Sequence, residues 1–321
     1  MLCTVNHEAG EQFALAHVDS ASCLIVVDWA MKYLPQRYQE QKSDFFGKQG
    51  QSWHVSAVIT KHTEQLQVEC FVHLFDNCTQ NSFAVASIIE HLLNFIKKVS
   101  PEIENVFLRS DNEGCYHSGS LLLSLLFISQ HTGMTILRYD FSEPQSGKDI
   151  CDRETAPMKA HIRRWVNEKH NVITAEDMKT ALESHGGVKG VRAAVVQVDT
   201  TKEITANKIP GISLLNNFSF KGNGIRAWRA FNVGPGKFLS YSELGVVPQE
   251  KTGLKVLNEW GPRSSNPGSV SHASSTRGEI FSCSESACVL TFKTPEEAEA
   301  HMDAGKHLKK PGVLVPENAV I

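Results

Sequence analysis

The stretch Leu24-Ile25-Val26-Val27-Asp28-Trp29 is a short, β-branched apolar run that closes on a single carboxylate. Runs of about four to eight such residues read as buried strands. A carboxylate at the end of one either terminates the strand or is put there for chemistry. Further strands are expected at 53–59 and 68–75, joined by the polar turn Lys61-His62-Thr63-Glu64-Gln65. Residues 30–50 are polar and Gly-ended, an insertion or long loop. From Ser82 to Val99 apolar residues fall at 85, 88, 89, 92, 93, 96 and 99, the stripe of a helix packed on one face. Asn105-Val106-Phe107-Leu108-Arg109 is a strand that runs into Ser110-Asp111. A buried helix over 118–130 is stopped by Gly133, a strand follows at 134–139, and a loop with Pro144, Gly147 and Lys148 leads to a helix over 151–167.

The order is β β β α β α β α. Three antiparallel strands followed by alternating α/β units is the element order of the RNase H fold. The expected class is therefore α/β: an RNase H-like mixed sheet flanked by helices, spanning residues 20–170. A small β-rich α/β extension covers 171–250. It holds a helix over 174–184, capped by Gly186-Gly187, and strands at 191–196, 212–220, 225–231 and 237–241. These strands either complete the sheet or form a small β unit. Residues 251–279 are a flexible linker, rich in Ser, Pro, Gly and Asn from Gly261 to Thr276.

Three aspartates fall where that fold places carboxylates: Asp28 on the first strand, Asp111 at the end of the fourth, and Asp152 at the start of the last helix. Two divalent ions about 3.5–4 Å apart can clamp the attacking and leaving oxygens of a phosphodiester. Mg²⁺ prefers a few carboxylates with water and substrate oxygens. Acids gathered without a cation repel one another. Each aspartate also has a structural reading: strand end for Asp28, turn residue for Asp111 in Ser-Asp-Asn-Glu-Gly, helix cap for Asp152. Asp149 and Glu154 are rivals for the third position, and Glu113 lies close to the second. Lys148 either contacts a scissile phosphate or is an ordinary loop lysine.

The segments Val26-Val27-Asp28-Trp29-Ala30, Leu108-Arg109-Ser110-Asp111-Asn112 with Gly114-Cys115-Tyr116-His117, and Gly147-Lys148-Asp149-Ile150-Cys151-Asp152 resemble the core of DDE/DDD-type transposase-like proteins of animal mobile elements. Downstream, Gly186-Gly187-Val188, Trp228-Arg229-Ala230 and Gly234-Pro235-Gly236-Lys237 look like uncharacterised metazoan proteins of that kind, which carry a C-terminal C2H2 finger. The resemblance covers roughly residues 20–310. It implies an ancestral phosphodiester cleavage or strand-transfer activity, with Asp28, Asp111 and Asp152 as Mg²⁺ or Mn²⁺ ligands. Transposases of this type usually carry a substantial N-terminal part. Here about two dozen residues precede the first strand, as in a truncated copy, a fragment or a domesticated relic.

The C-terminal region, 280–310, contains Cys283-x4-Cys288-x12-His301-x5-His307. Two cysteines on a hairpin and two histidines on one helix give four ligands at tetrahedral reach of Zn²⁺. Phe292 and Ala298 form the expected small core, and Thr294-Pro295-Glu296-Glu297 is a helix start. The positions that would read bases are Thr294, Glu297 and Ala300, none of them the Arg or Lys that reads guanine. A finger that contacts protein or RNA, or is purely structural, fits at least as well as a DNA reader.

Composition sets the outer bounds. The 321 residues carry a formal net charge of −3, with 41% hydrophobic and 21% charged residues, which excludes a uniformly basic chain and wholesale disorder. No apolar run approaches the roughly 20 residues of a membrane span. The N-terminus shows no secretory pattern, and six of the eight cysteines lack regular spacing, as buried thiols of an intracellular protein do. The nucleus is the favoured location. Lys159, His161, Arg163, Arg164 and Lys169 form a basic cluster, either a phosphate-backbone contact or a solvated helix face. His117 is structural or lines the cleft, and Gly234-Pro235-Gly236-Lys237 is not a P-loop. The expectation is a nucleic-acid-processing protein acting on DNA or RNA; the alternative is a catalytically dead zinc-finger adaptor that binds DNA, RNA or protein.

The finger generates a direct prediction. A core this small cannot fold without metal. A peptide of residues 278–312 should gain helix by circular dichroism when Zn²⁺ is added, and Cys288→Ser should abolish the gain. Identical spectra with and without zinc would contradict the assignment.

Overall fold

The computed structural model describes residues 2–41, 47–63, 65–142, 150–202, 209–244, 253–261, 281–282 and 291–292. The chain divides into two units, Met1–Asn266 and Pro267–Ile321.

The centre of the first unit is β1 (Ser22–Tyr33), and its sequence shows why. Cys23, Ile25, Val27 and Trp29 pack into the core on one face, and Leu24, Val26 and Ala30 into the core on the other. A strand covered on both faces reads as a continuous apolar run. β1 pairs antiparallel with β2 (Gln51–His62), and β2 with β3 (Gln65–Phe75). On its other side β1 takes β4 (Asn105–Ser110) in parallel, and β4 takes β5 (Thr135–Phe141) in parallel. The order β3-β2-β1-β4-β5 with these directions is the RNase H-like arrangement.

Helices cover both faces. The first face carries α2 (Ser82–Val99) and α3 (Gly119–Thr132). The second carries α4 (Ile150–Asn167) and α5 (Ala175–Glu183). Local chemistry sets their ends. The Asn81 side chain accepts from the Ala84 amide, and the Ser118 hydroxyl from the Leu121 amide. Gly133 ends α3 in the left-handed conformation at φ 66°. Thr174 and Asp177 form a reciprocal capping box on α5.

The extension completes the same sheet at both edges. β6 (Val191–Val198) lies parallel to β3, and β10 (Leu254–Asn258) antiparallel to β6. On the far side β7 (Asn217–Lys221), β8 (Gly224–Trp228) and β9 (Lys237–Ser240) continue from β5 as an antiparallel meander. The strand expected over 212–220 starts only at Asn217. Gly211 adopts φ 75° and residues 212–214 form a 3₁₀ turn, so the chain enters the sheet late. An N-terminal helix, α1 (Leu2–Ala16), had no expectation, and β10 falls within residues 251–279, expected as a flexible linker, because β6 offers it an edge to pair with. Phe13 and Ala14 of α1 pack on the second face, with the Phe13 ring 6.4 Å from Phe107 and 5.3 Å from Phe231.

In the second unit Phe281 pairs with Phe292 and Ser282 with Thr291, an antiparallel pair of two-residue strands, β11 and β12. Cys283, Cys288, His301 and His307 lie outside the described residues. No helix among the described residues is long and apolar enough to cross a membrane.

The core and its caps should differ in energetic weight. Leu122 is fully buried in α3. Leu122→Ala should cost about 2–5 kcal/mol, whereas Ser118→Ala, which loses one cap bond, should cost about 1 kcal/mol. Urea denaturation followed by circular dichroism checks both.

Candidate functional site

Parallel pairing places Val26 beside Arg109 and Val27 beside Ser110. Asp28 and Asp111 are the residues that follow this last pair, Asp28 within β1 and Asp111 just past the end of β4. Both side chains are half-buried. The turn after β4 is held from within. The Ser110 hydroxyl donates to the Asp111 carbonyl at 2.8 Å, so the Tyr139 hydroxyl, 2.9 Å away, donates to Ser110. The Glu113 amide donates to Asp111 Oδ1 at 3.1 Å, and the amides of Tyr116 and His117 both donate to the Glu113 carbonyl. These bonds turn the chain back so that Tyr116 plunges into the core.

Tyr116 is the feature that ties the two aspartates together. It is fully buried, and its hydroxyl has no hydrogen-bond partner among the described residues. Its pKa is pushed well above the usual phenol range, first by burial and then by the charges of Asp28, Cys115, Tyr139 and Asp111. Asp28 and Asp111 therefore act on the same phenol from two strands. Cys115 next to it is pushed up to about 12, by burial first and then by Asp111 and Glu113. Trp29 Nε1 and His54 Nε2 are likewise buried without a partner among the described residues, with the Trp29 ring 5.0 Å and the Tyr116 ring 6.1 Å from that of His54.

The third aspartate is placed by α4. The buried Cys151 thiol donates toward the carbonyl of Val26 at 3.3 Å and that of Val55 at 3.7 Å. Val55 is the cross-strand partner of Asp28, so the start of α4 is pinned over this part of β1. Asp152, the next residue, is exposed in the first turn. Its rival Glu154 acts on Cys70 of β3, whose thiol is pushed up to about 12 by burial and then by Glu154 and Glu69. That places Glu154 on the β3 side, away from β4. Glu113 is exposed, and Lys148 and Asp149 lie outside the described residues. Among the described residues no group of three or more His, Cys, Asp or Glu side chains is disposed to hold a metal ion. Asp28 and Asp111 are thus half-buried on adjacent stretches of chain and both act on Tyr116, whereas Asp152 is exposed.

Most of the remaining candidates take structural roles. His117 Nε2 donates to the Leu215 carbonyl at 2.8 Å and ties the turn to the chain before β7. Lys159 lies over the Trp53 ring, His161 bonds to Ser184, and Arg164 pairs with Glu168 at 3.0 Å, while Arg163 and Lys169 stay exposed. At Gly236, φ 67°, a Cβ would sit 2.6 Å from Trp228 Nε1, so the Gly-Pro-Gly segment is a turn packed on an indole. A buried cation also escaped notice in the sequence. Arg138 grips Asp140 at 2.9 and 3.1 Å and lies over the Phe231 ring at 4.5 Å. Burial raises the Asp140 pKa, and the Arg138 guanidinium pulls it back.

The family described as "Domain of unknown function (DUF8701)" matches residues 12–212. The chain belongs to the DUF8701 family. The matched region runs from α1 through β6 and contains all three aspartates. No curated protein matches this chain. Solved structures similar to it include the human cytomegalovirus terminase nuclease domain, Mn-soaked and inhibitor-bound, at 10% identity and TM-score 0.26 over 50% of this chain and 72% of that one. The same viral domain without those additions matches at 10% identity and TM-score 0.26, over 50% and 69%.

The orphaned phenol generates a prediction. A buried hydroxyl with no partner destabilises the fold, so Tyr116→Phe should raise the stability of the metal-free protein by about 1 kcal/mol. Urea denaturation in the presence of EDTA checks it; a loss of stability would show that the hydroxyl is satisfied.

Proposed function

We propose that this DUF8701 protein is a transposase-derived, RNase H-like protein that cleaves or transfers phosphodiester bonds of nucleic acid with the help of Mg²⁺ or Mn²⁺. The observation that supports it most is that Asp28 and Asp111 directly follow the last parallel β1–β4 pair, Val27–Ser110, in a β3-β2-β1-β4-β5 sheet, and both act on the buried Tyr116. The donor set is all oxygen, which suits hard divalent ions. The buried Tyr116 hydroxyl, with no partner among the described residues, fits a site whose polar groups are completed by a bound species.

In this reading Asp28 and Asp111 hold the metal from the sheet and Asp152 joins them from the first turn of α4. A bound divalent ion would supply an activated water and charge neutralisation at phosphorus. Lys148 would offset phosphate charge, and the exposed Arg163 and Lys169 would touch the polynucleotide backbone away from the bond that breaks. Tyr116 and Trp29 would exclude bulk water beneath the carboxylates. Cys283, Cys288, His301 and His307 would bind Zn²⁺ in a tethered finger that engages nucleic acid or a protein partner. A second reading, a catalytically dead zinc-finger adaptor, is favoured by one observation: Asp152 is exposed and no three-residue ligand group forms among the described residues.

A nuclease assay on single-stranded, duplex and hybrid substrates separates the two. Cleavage should require Mg²⁺ or Mn²⁺. Asp28→Asn and Asp111→Asn should each cost nearly as much activity as both together, because the acids act as one site. Cleavage that persists in EDTA or in Asp28→Asn would contradict the proposal, and metal binding without cleavage would leave the adaptor.

A further inference from the structure

On the sheet face opposite α4 lies a buried histidine cluster that the acidic site does not use. His54 of β2 and His73 of β3 are cross-strand partners, and both are fully buried. His91 of α2 comes down on them, with its Nδ1 3.0 Å from His73 Nε2. Trp260 closes the cluster. Its ring stacks on His91 at 5.2 Å and 16°, and meets His73 edge-on at 4.8 Å and Phe71 at 5.2 Å. Trp260 ends a segment that runs from β10 along the sheet edge.

The tautomers follow from the bonding. His73 Nδ1 has no partner among the described residues. A bare buried acceptor is tolerated better than a bare buried N–H. His73 therefore carries its proton on Nε2 and donates to the lone pair of His91 Nδ1. That lone pair is the place where a proton on His91 must go. Once it is there, two N–H groups face each other across 3.0 Å and the contact that seats His91 becomes repulsive. Trp260, stacked on that ring, loses its floor.

We propose that residues 254–261 form a latch that the neutral His73–His91 pair holds shut and that a proton on His91 opens. The other charged groups around the pair are accounted for. Burial lowers the His91 pKa, and Glu259, in the latch itself, pulls it back up. His73 is held well below the usual imidazole range by burial, then by His91 and His54. On α2, Glu90 is engaged by His131 at 2.9 Å. From β6, Arg192 lies over the Phe95 ring and donates to the Gly261 carbonyl. From α5, Lys179 reaches Asn258 and the Glu259 carbonyl. These last bonds tie the latch to α5 and β6, so they oppose its opening and confine it to this edge of the sheet. Because the folded His91 value lies below its unfolded one, the latch is fully closed above about pH 6.5 and loosens as pH falls toward the lowered value.

Hydrogen exchange of the full chain at pH 7.5 and 5.0, corrected for intrinsic rates, tests this. Amides of 254–261 should exchange about ten-fold faster or more at pH 5.0, while β1 and β4 stay protected. His91→Gln, which keeps an acceptor but cannot titrate, should abolish the step. Should that variant not fold, Glu259→Gln should move the step to lower pH. Equal protection at both pH values, the same step in His91→Gln, or an unmoved step in Glu259→Gln would overturn the latch.

Discussion

Everything at the candidate site depends on the parallel register between β1 and β4. Parallel strands cannot be joined by a tight turn, so the chain between them must cross over a face of the sheet. Here the crossing includes β2, β3 and α2 before the chain returns at Asn105. β1 and β4 then run the same way, and the Val27–Ser110 pair sets Asp28 and Asp111 at the next positions of the two segments although 82 residues of chain separate them. A slip of one residue in that register would turn one carboxylate to the opposite face and break the pair. The apolar residues of β1, committed to cores on both sides, hold the register against such a slip.

The second organising feature is buried polarity on the α2–α3 face. Tyr116, Trp29, His54, His73 and Trp260 all present buried polar atoms that find no partner among the described residues. Native interiors usually satisfy such atoms, and each exception calls for a ligand, a water or a switch. At one end this polarity lies beneath two carboxylates. At the other it lies under Trp260, which follows β10. The aromatic contacts Trp29–His54, His54–Tyr116, His54–His73 and His73–Trp260 run continuously between them.

Much of the fold was legible in the sequence, for identifiable reasons. The stripe from Val85 to Val99 and the apolar run to Val27 have clean periods, and α2 and β1 follow them. The parallel pairing of β1 with β4 was legible because the element order carried the topology. What escaped reading depends on partners distant in the chain. α1 has few large apolar residues and is anchored by Phe13 against Phe107 and Phe231. β10 alternates weakly and exists because β6 offers it an edge. Tyr116 stood in view within Gly-Cys-Tyr-His, but its burial beneath two acids follows from the turn bonds of Glu113. The histidine cluster needs the β2–β3 register to become visible, since His54, His73 and His91 have no motif spacing.

The proposed metal site requires Asp28 and Asp111 to bind as one unit. Anomalous diffraction from crystals of the full chain soaked in Mn²⁺ is the test. A manganese peak at coordinating distance from both carboxylates, absent in Asp111→Asn, is expected. Density for the two aspartates with no manganese between them, at a concentration that saturates other carboxylate sites, would contradict it.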